Sequence, residues 1–133
     1  MDDRDAPRPL VLVVDDEPLV HVIASRVLER CGFDLLNACD GVEAIEILAL
    51  AQRAPALVIS DLRMPRMNGA ELGRWLSDRY PAVPVLYVSG FMDELPPPSA
   101  GSAAQSYLAK PFTPEMLLAQ VRSLCGREAG QPP

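Results

Sequence analysis

The sequence predicts an α/β fold: a parallel sheet of five strands covered by helices on both faces. Three observations predict it. Five short apolar runs recur along 133 residues, and most are apolar throughout rather than alternating, as strands buried on both faces are. The segments between most of these runs carry apolar residues at helical spacing. The runs also end on polar residues at their C-terminal sides, which is where an open α/β sheet assembles a ligand site.

Each element has its own local reason. Residues 1–8 are rich in charge and read as a disordered lead. Leu10 to Val14 (LVLVV) is apolar and rich in β-branched residues, hence a strand, and it runs into Asp15-Asp16. Pro18 suits the first turn of a helix, with Asp16 or Glu17 as its cap. Val20, Ile23, Ala24, Val27, Leu28 and Cys31 form the buried stripe of that helix, and Gly32 stops it. Phe33 to Ala38 is a weaker strand. Asp40-Gly41 opens a helix that turns Ala44, Ile45 and Leu48 inward. Ala56 to Ser60 (ALVIS) is a third strand, ending at Asp61. The loop Leu62 to Asn68 leads to a helix from Gly69, with Leu72, Trp75 and Leu76 inward. Pro84 to Val88 is the fourth strand, followed by Ser89-Gly90, and Ser106 to Ala109 the fifth, followed by Lys110-Pro111. Thr113 caps a last helix with Pro114 at its first position and Glu115 in its first turn. Met116, Leu117, Val121 and Leu124 are expected to face inward.

The right-handed crossover rule and the length favour a doubly wound, flavodoxin-like sheet in the order 2-1-3-4-5. One interval breaks the alternation. Pro96 to Pro98 stand where a helix should connect the fourth and fifth strands. One interior proline costs a helix about 3 kcal/mol, so three in a row leave the fourth helix missing or reduced to a turn. The fifteen residues 91–105 still suffice for a parallel crossover, which needs about a dozen. The chain is otherwise proline-rich, with 14 in all, against a usual frequency of about 5%.

Composition narrows the function. Twelve basic and 18 acidic residues give a net charge of −6, with a pI near 4.7. That argues against a general nucleic-acid or anionic-membrane binder, since either needs a basic face. The longest apolar run is far too short to span a bilayer, and MDDRDAPRP does not read as a secretory signal. Cys31, Cys39 and Cys125 form no metal-binding pattern with His21, the single histidine, and read as buried thiols of a reducing compartment. The expected setting is cytoplasmic, with no direct membrane insertion and no nucleic-acid partner. Residues 126–133 read as a flexible tail.

Strand-end residues supply the chemistry. In the expected order the first and third strands are neighbours, so Asp15, Asp16 and Asp61 converge on one crevice. Two like charges about 4 Å apart repel by about 4 kcal/mol at an effective dielectric near 20. A divalent hard cation is the natural compensation, and Mg²⁺ prefers few carboxylates plus water in an open site. Lys110 adds a positive charge at the far edge and Ser89 a hydroxyl donor. Any one of these residues alone could be a cap or a solvated charge; four strand ends with complementary polar groups are hard to assign to capping.

The segments VVDDEP, SDLRMPRMNG, VLYVSG and YLAKPF together resemble the receiver domain of two-component response regulators, over roughly Leu10 to Cys125. The style is that of receivers in hybrid sensor histidine kinases or of stand-alone single-domain regulators. The resemblance implies a receiver over residues 9–125 in which Asp61 is the nucleophile and phosphorylation site, accepting a phosphoryl group from a histidine kinase or a histidine phosphotransfer protein. It implies Mg²⁺ held by the Asp16 and Asp61 side chains and the Arg63 carbonyl, with Asp15 holding a metal-bound water. Lys110 and Ser89 would bind phosphoryl oxygens, giving the electrostatic clamp of phosphoryl transfer. Ser89 and Tyr107 would be the switch pair that turns the added charge of about −1.5 to −2 into altered protein contacts. Such a domain is a signalling phosphoacceptor rather than an enzyme, though it would catalyse its own phosphorylation and dephosphorylation. The resemblance also implies a cis bond at Pro111 and a sharp turn at Gly69. Phe91, two residues beyond Ser89, either restricts the hydrolytic water or packs into the shortened crossover.

Three other readings compete. A phosphatase of the haloacid dehalogenase type needs an acid two residues beyond its aspartate nucleophile, where this chain has Arg63. A histidine phosphotransfer protein needs an exposed histidine on a helical bundle; His21 lies early in a helix of an α/β pattern and reads as a surface or kinase-facing residue. An unphosphorylated receiver-like binding module would have lost Asp61, an acidic-pair member or Lys110, and all are present. The downstream partner is not legible.

Overall fold

The computed structural model of the chain describes residues 8–90 and 105–125. Nine elements follow in order: β1 (Leu10–Val14), α1 (Pro18–Arg30), β2 (Asp34–Ala38), α2 (Gly41–Ala51), β3 (Leu57–Asp61), α3 (Gly69–Arg79), β4 (Val85–Ser89), β5 (Gln105–Ala109) and α4 (Pro114–Cys125). The strands form one sheet in the order β2-β1-β3-β4-β5, and every neighbouring pair is parallel. This is the doubly wound arrangement that the sequence predicts, with four helices among the described residues. The predicted lead, the tail, and the crossover containing Phe91 and Pro96 to Pro98 lie outside the described residues, apart from Arg8 and Gln105 at their edges.

Side-chain alternation explains why the central strands look uniformly apolar. Val11, Val13, Leu57, Ile59, Leu86 and Val88 point to one face, where Ala24 and Leu28 of α1 and Leu117 and Val121 of α4 cover them. Leu12, Val14, Val58, Val85 and Tyr87 point to the other, beneath Ala44 and Leu48 of α2 and Leu72 and Leu76 of α3. Period-two alternation therefore sorts residues between two apolar layers instead of between core and water. The edge strand β2 keeps only Ala38 fully buried, which accounts for its weak apolar signal.

Local details depart from expectation by small steps. β3 and β4 each start and end one residue later, and β5 begins at Gln105. Phe33 lies just outside β2 but is 1% exposed, inside the α1 layer. Met116 is 44% exposed and faces out, while Leu117 and Val121 form the buried stripe; the Met116 main-chain N–H donates to the Thr113 hydroxyl at 3.1 Å. Cys39 is exposed, against the expectation of a buried thiol, while Cys31 and Cys125 are half-buried. No helix among the described residues is long and apolar enough to cross a membrane.

Candidate functional site

Sheet register assembles the site. Val14 pairs with Ser60, so Asp15, the next residue, emerges level with Asp61 at the C-terminal end of β3. Asp61 pairs with Val88, and Ser89 with Ala109, so Ser89 and Lys110 leave the sheet one step farther on. Carboxylate oxygens of Asp15, Asp16 and Asp61 all lie within 4.8 Å of one another. They sit at a cleft of about 590 Å³ whose lining includes the polar Asp16, Asp61, Arg63 and Lys110 and the apolar Leu19, Ile23 and Phe112.

The acidic pair is not spent on capping α1. Glu17 occupies the N-cap position and no side chain caps the helix. Asp15 instead folds back: its Oδ1 accepts the Glu17 N–H at 2.9 Å. Asp61 divides its two oxygens. Oδ1 accepts main-chain N–H groups from Leu62 at 2.7 Å and Arg63 at 3.3 Å, while Oδ2 accepts the Lys110 ammonium at 3.1 Å. The residue thus ties its own turn and still presents an oxygen to the cation.

Lys110 binds three acids at once. Besides Asp61, its Nζ donates to Glu17 Oε1 at 2.6 Å and lies 3.1 Å from Asp15 Oδ2. That Asp15 oxygen is buried, and apart from this ion pair it has no partner among the described residues. Burial pushes the Asp15 carboxyl up to about 6; the Glu17 N–H opposes this, the Asp61 charge adds to it, and Lys110 opposes it. Burial disfavours the Lys110 charge, yet its bonds to Glu17, Asp15 and Asp61 outweigh that and hold its pKa above the ordinary lysine value. A buried carboxylate oxygen whose one partner is the shared Lys110 ammonium, beside two further carboxylates, is a donor set suited to a hard cation and its water.

The loop after Asp61 is pinned by close approach. A Cβ on Gly69 would lie 2.2 Å from the Asp61 carbonyl oxygen, so only glycine allows α3 to start there. Asn68 and Glu71 form a capping box at that start. Arg66, held at φ +66°, forks onto Asp40 at the head of α2 through Nε at 2.8 Å and Nη2 at 3.1 Å. That fork, with the Glu43 N–H, holds the Asp40 carboxyl below its usual range. The Lys110-Pro111 bond is cis, as the resemblance implied.

The remaining predicted residues are more dispersed. Arg63 is exposed beside the cleft, Ser89 is fully buried at the tip of β4, and Tyr107 lies half-buried in the α2–α3 layer. The Tyr107 ring stacks on Tyr87, with centroids 5.6 Å apart and planes 16° apart. Four participants escaped sequence reasoning: Glu17, Tyr87, the Asp40–Arg66 fork, and His21. His21 is half-buried rather than simply a surface residue; its Nε2 donates to the Asp15 carbonyl at 2.7 Å and its Nδ1 meets the Asn37 side-chain amide at 2.7 Å. Glu17 could have been suspected from its place after the acidic pair. The others had no local signal.

Comparison with known proteins decides the family. A family model described as the response regulator receiver domain matches residues 11–122. The chain belongs to this family. As a receiver domain it is similar to the response regulator MprA of Mycobacterium ulcerans (strain Agy99), 40% identical over 119 residues that cover 88% of this chain and 50% of that protein. The chain thus spans about half the length of the curated relatives it matches. The solved receiver domain of the hybrid histidine kinase CckA superposes with a TM-score of 0.73 at 29% identity, covering 87% of this receiver domain and 98% of that chain. The response regulator TrrA of Thermotoga maritima, solved in complex with Mg²⁺-BeF, gives a TM-score of 0.70 at 26% identity, with 87% and 98% covered.

Proposed function

We propose that this receiver domain accepts a phosphoryl group on Asp61 from a histidine kinase or histidine phosphotransfer protein, in the cytoplasm, and thereby switches its protein contacts. The observation that carries the reading is the Asp61 carboxylate itself: buried, oriented by two main-chain N–H groups and paired with Lys110 at the edge of an open cleft. A carboxylate oxygen of Asp61 would form the new O–P bond as the N–P bond of the phosphohistidine breaks. The electron pair leaves with the donor nitrogen, and the imidazole departs neutral when its other ring nitrogen carries a proton. Lys110 would meet the charge that grows on the phosphoryl oxygens, without needing to reorganise. Ser89 would donate its hydroxyl to another of them, and Tyr107 would follow Ser89 as the switch.

The donor set fits Mg²⁺, because oxygens of three carboxylates, Asp15, Asp16 and Asp61, lie within 4.8 Å of one another, and the buried Asp15 Oδ2 has only the shared Lys110 ammonium beside it. The Asp16 and Asp61 side chains and the Arg63 carbonyl would hold the ion, and Asp15 a water bound to it. When bound, Mg²⁺ supplies positive charge to the phosphoryl oxygens. Water entering the same cleft would later release inorganic phosphate from Asp61, a self-dephosphorylation that belongs to the same reading.

The test is incubation with Mg²⁺ and acetyl phosphate, followed by intact-protein mass spectrometry. The chain is expected to gain one phosphoryl group that base removes, while Asp61→Asn gains none. No mass gain on the wild type, or an equal gain on Asp61→Asn, overturns the proposal.

A further inference from the structure

We propose that His21 is a positioning residue for the acidic corner of the site, acting through the main-chain carbonyl of Asp15; this rests on the phosphoacceptor reading above. Three of the four polar atoms of Asp15 have partners that fix its place. Its N–H donates to the Ala38 carbonyl at 3.0 Å, its Oδ1 accepts the Glu17 N–H, and its carbonyl accepts the His21 Nε2–H at 2.7 Å. The fourth, Oδ2, is buried with the Lys110 ammonium 3.1 Å away.

The carbonyl bond matters because of the peptide that carries it. The Asp15 carbonyl and the N and Cα of Asp16 lie in one rigid plane. Fixing that oxygen therefore fixes the direction in which Asp16 departs, and Asp16 is otherwise exposed. His21 is well placed to do this: it sits one turn into α1, and helical side chains lean back toward the N-terminus. Its ring is held from its other side by Asn37 at the end of β2. The imidazole thus braces the β1–α1 turn against the neighbouring strand, touching no reacting atom.

Two conservative substitutions separate the two bonds. Glutamine has a nitrogen the same number of bonds from Cβ as His21 Nε2, so His21→Gln can keep the Asp15 bond while losing the one to Asn37. Asparagine reaches only as far as Nδ1, so His21→Asn can keep the Asn37 bond and loses the Asp15 one. Titration calorimetry with Mg²⁺ alone, alongside urea unfolding of each variant, reads the difference. Mg²⁺ affinity is expected to fall by about tenfold in His21→Asn and in His21→Leu, as for other groups that orient metal ligands, and to stay within about twofold in His21→Gln. Unfolding midpoints should not follow that ranking. Wild-type affinity in His21→Asn, or an equal loss in His21→Gln and His21→Asn, overturns the role of the carbonyl bond. A wild type that binds no Mg²⁺ would overturn the phosphoacceptor reading as well.

Discussion

At the scale of single residues, the site is a problem of charge compensation. Lys110 is 15% exposed on its side chain and touches Asp15, Glu17 and Asp61. Removing one partner of a buried ion pair leaves the other charge uncompensated, at about 3 kcal/mol. Lys110→Met is expected to lose about that much stability in metal-free buffer, by urea unfolding. Mg²⁺ should then raise the melting temperature of the variant by more than that of the wild type, because ion and ammonium neutralise the same oxygens. A metal-free stability equal to the wild type's, or an equal Mg²⁺ shift in both, would refute this account of Lys110.

At the scale of elements, α3 approaches the sheet through a gap that glycine leaves open. A Cβ added to Gly73 would lie 2.1 Å from the Tyr87 hydroxyl oxygen but 3.4 Å from the ring carbon that bears it. Tyr87 cannot move aside easily: it is 1% exposed and stacked on Tyr107. Burial also pushes its hydroxyl up to about 12. Gly73→Ala is therefore expected to destabilise the wild type by about 1–3 kcal/mol through overpacking, net of the better helix propensity of alanine. In a Tyr87→Phe background the oxygen is gone, and the same substitution should stabilise by up to about 1 kcal/mol. The double-mutant cycle, read by chemical denaturation, checks for this change of sign. Additive effects would show that the hydroxyl is not what excludes the methyl group.

At the scale of the molecule, the sheet separates two apolar layers. Leu28 in α1 and Leu76 in α3 are each at most 1% exposed, on opposite faces. Truncating either to alanine should cost about 2–5 kcal/mol. Because the two belong to separate apolar clusters, the losses in Leu28→Ala/Leu76→Ala should add to within about 0.5 kcal/mol. Two such losses would take most of the roughly 5–15 kcal/mol that folded domains have, so the comparison needs a stabilising osmolyte. A large coupling energy would mean that the two layers repack together.

The residue string alone determined the alternation of strand and helix, the parallel order and the strand-end cluster, because these depend on local pattern. β1 from Leu10 to Val14 and helix starts at Pro18, Gly41, Gly69 and Pro114 follow from apolar runs, from proline at first turns and from the Asp40-Gly41 and Asn68-Gly69 helix openings. Asp15, Asp16, Asp61 and Lys110 were legible because each ends a strand, and the order of parallel strands brings those ends together. Only the tertiary structure decided the contacts between segments distant in sequence: Lys110 on Glu17, Arg66 on Asp40, Tyr87 in the space beside Gly73, and His21 between Asp15 and Asn37. Hydrogen bonds to a main-chain carbonyl leave no trace in the identity of the residue that supplies it. Helix periodicity gives the face on which a side chain lies, but register and close approach decide which atom it meets.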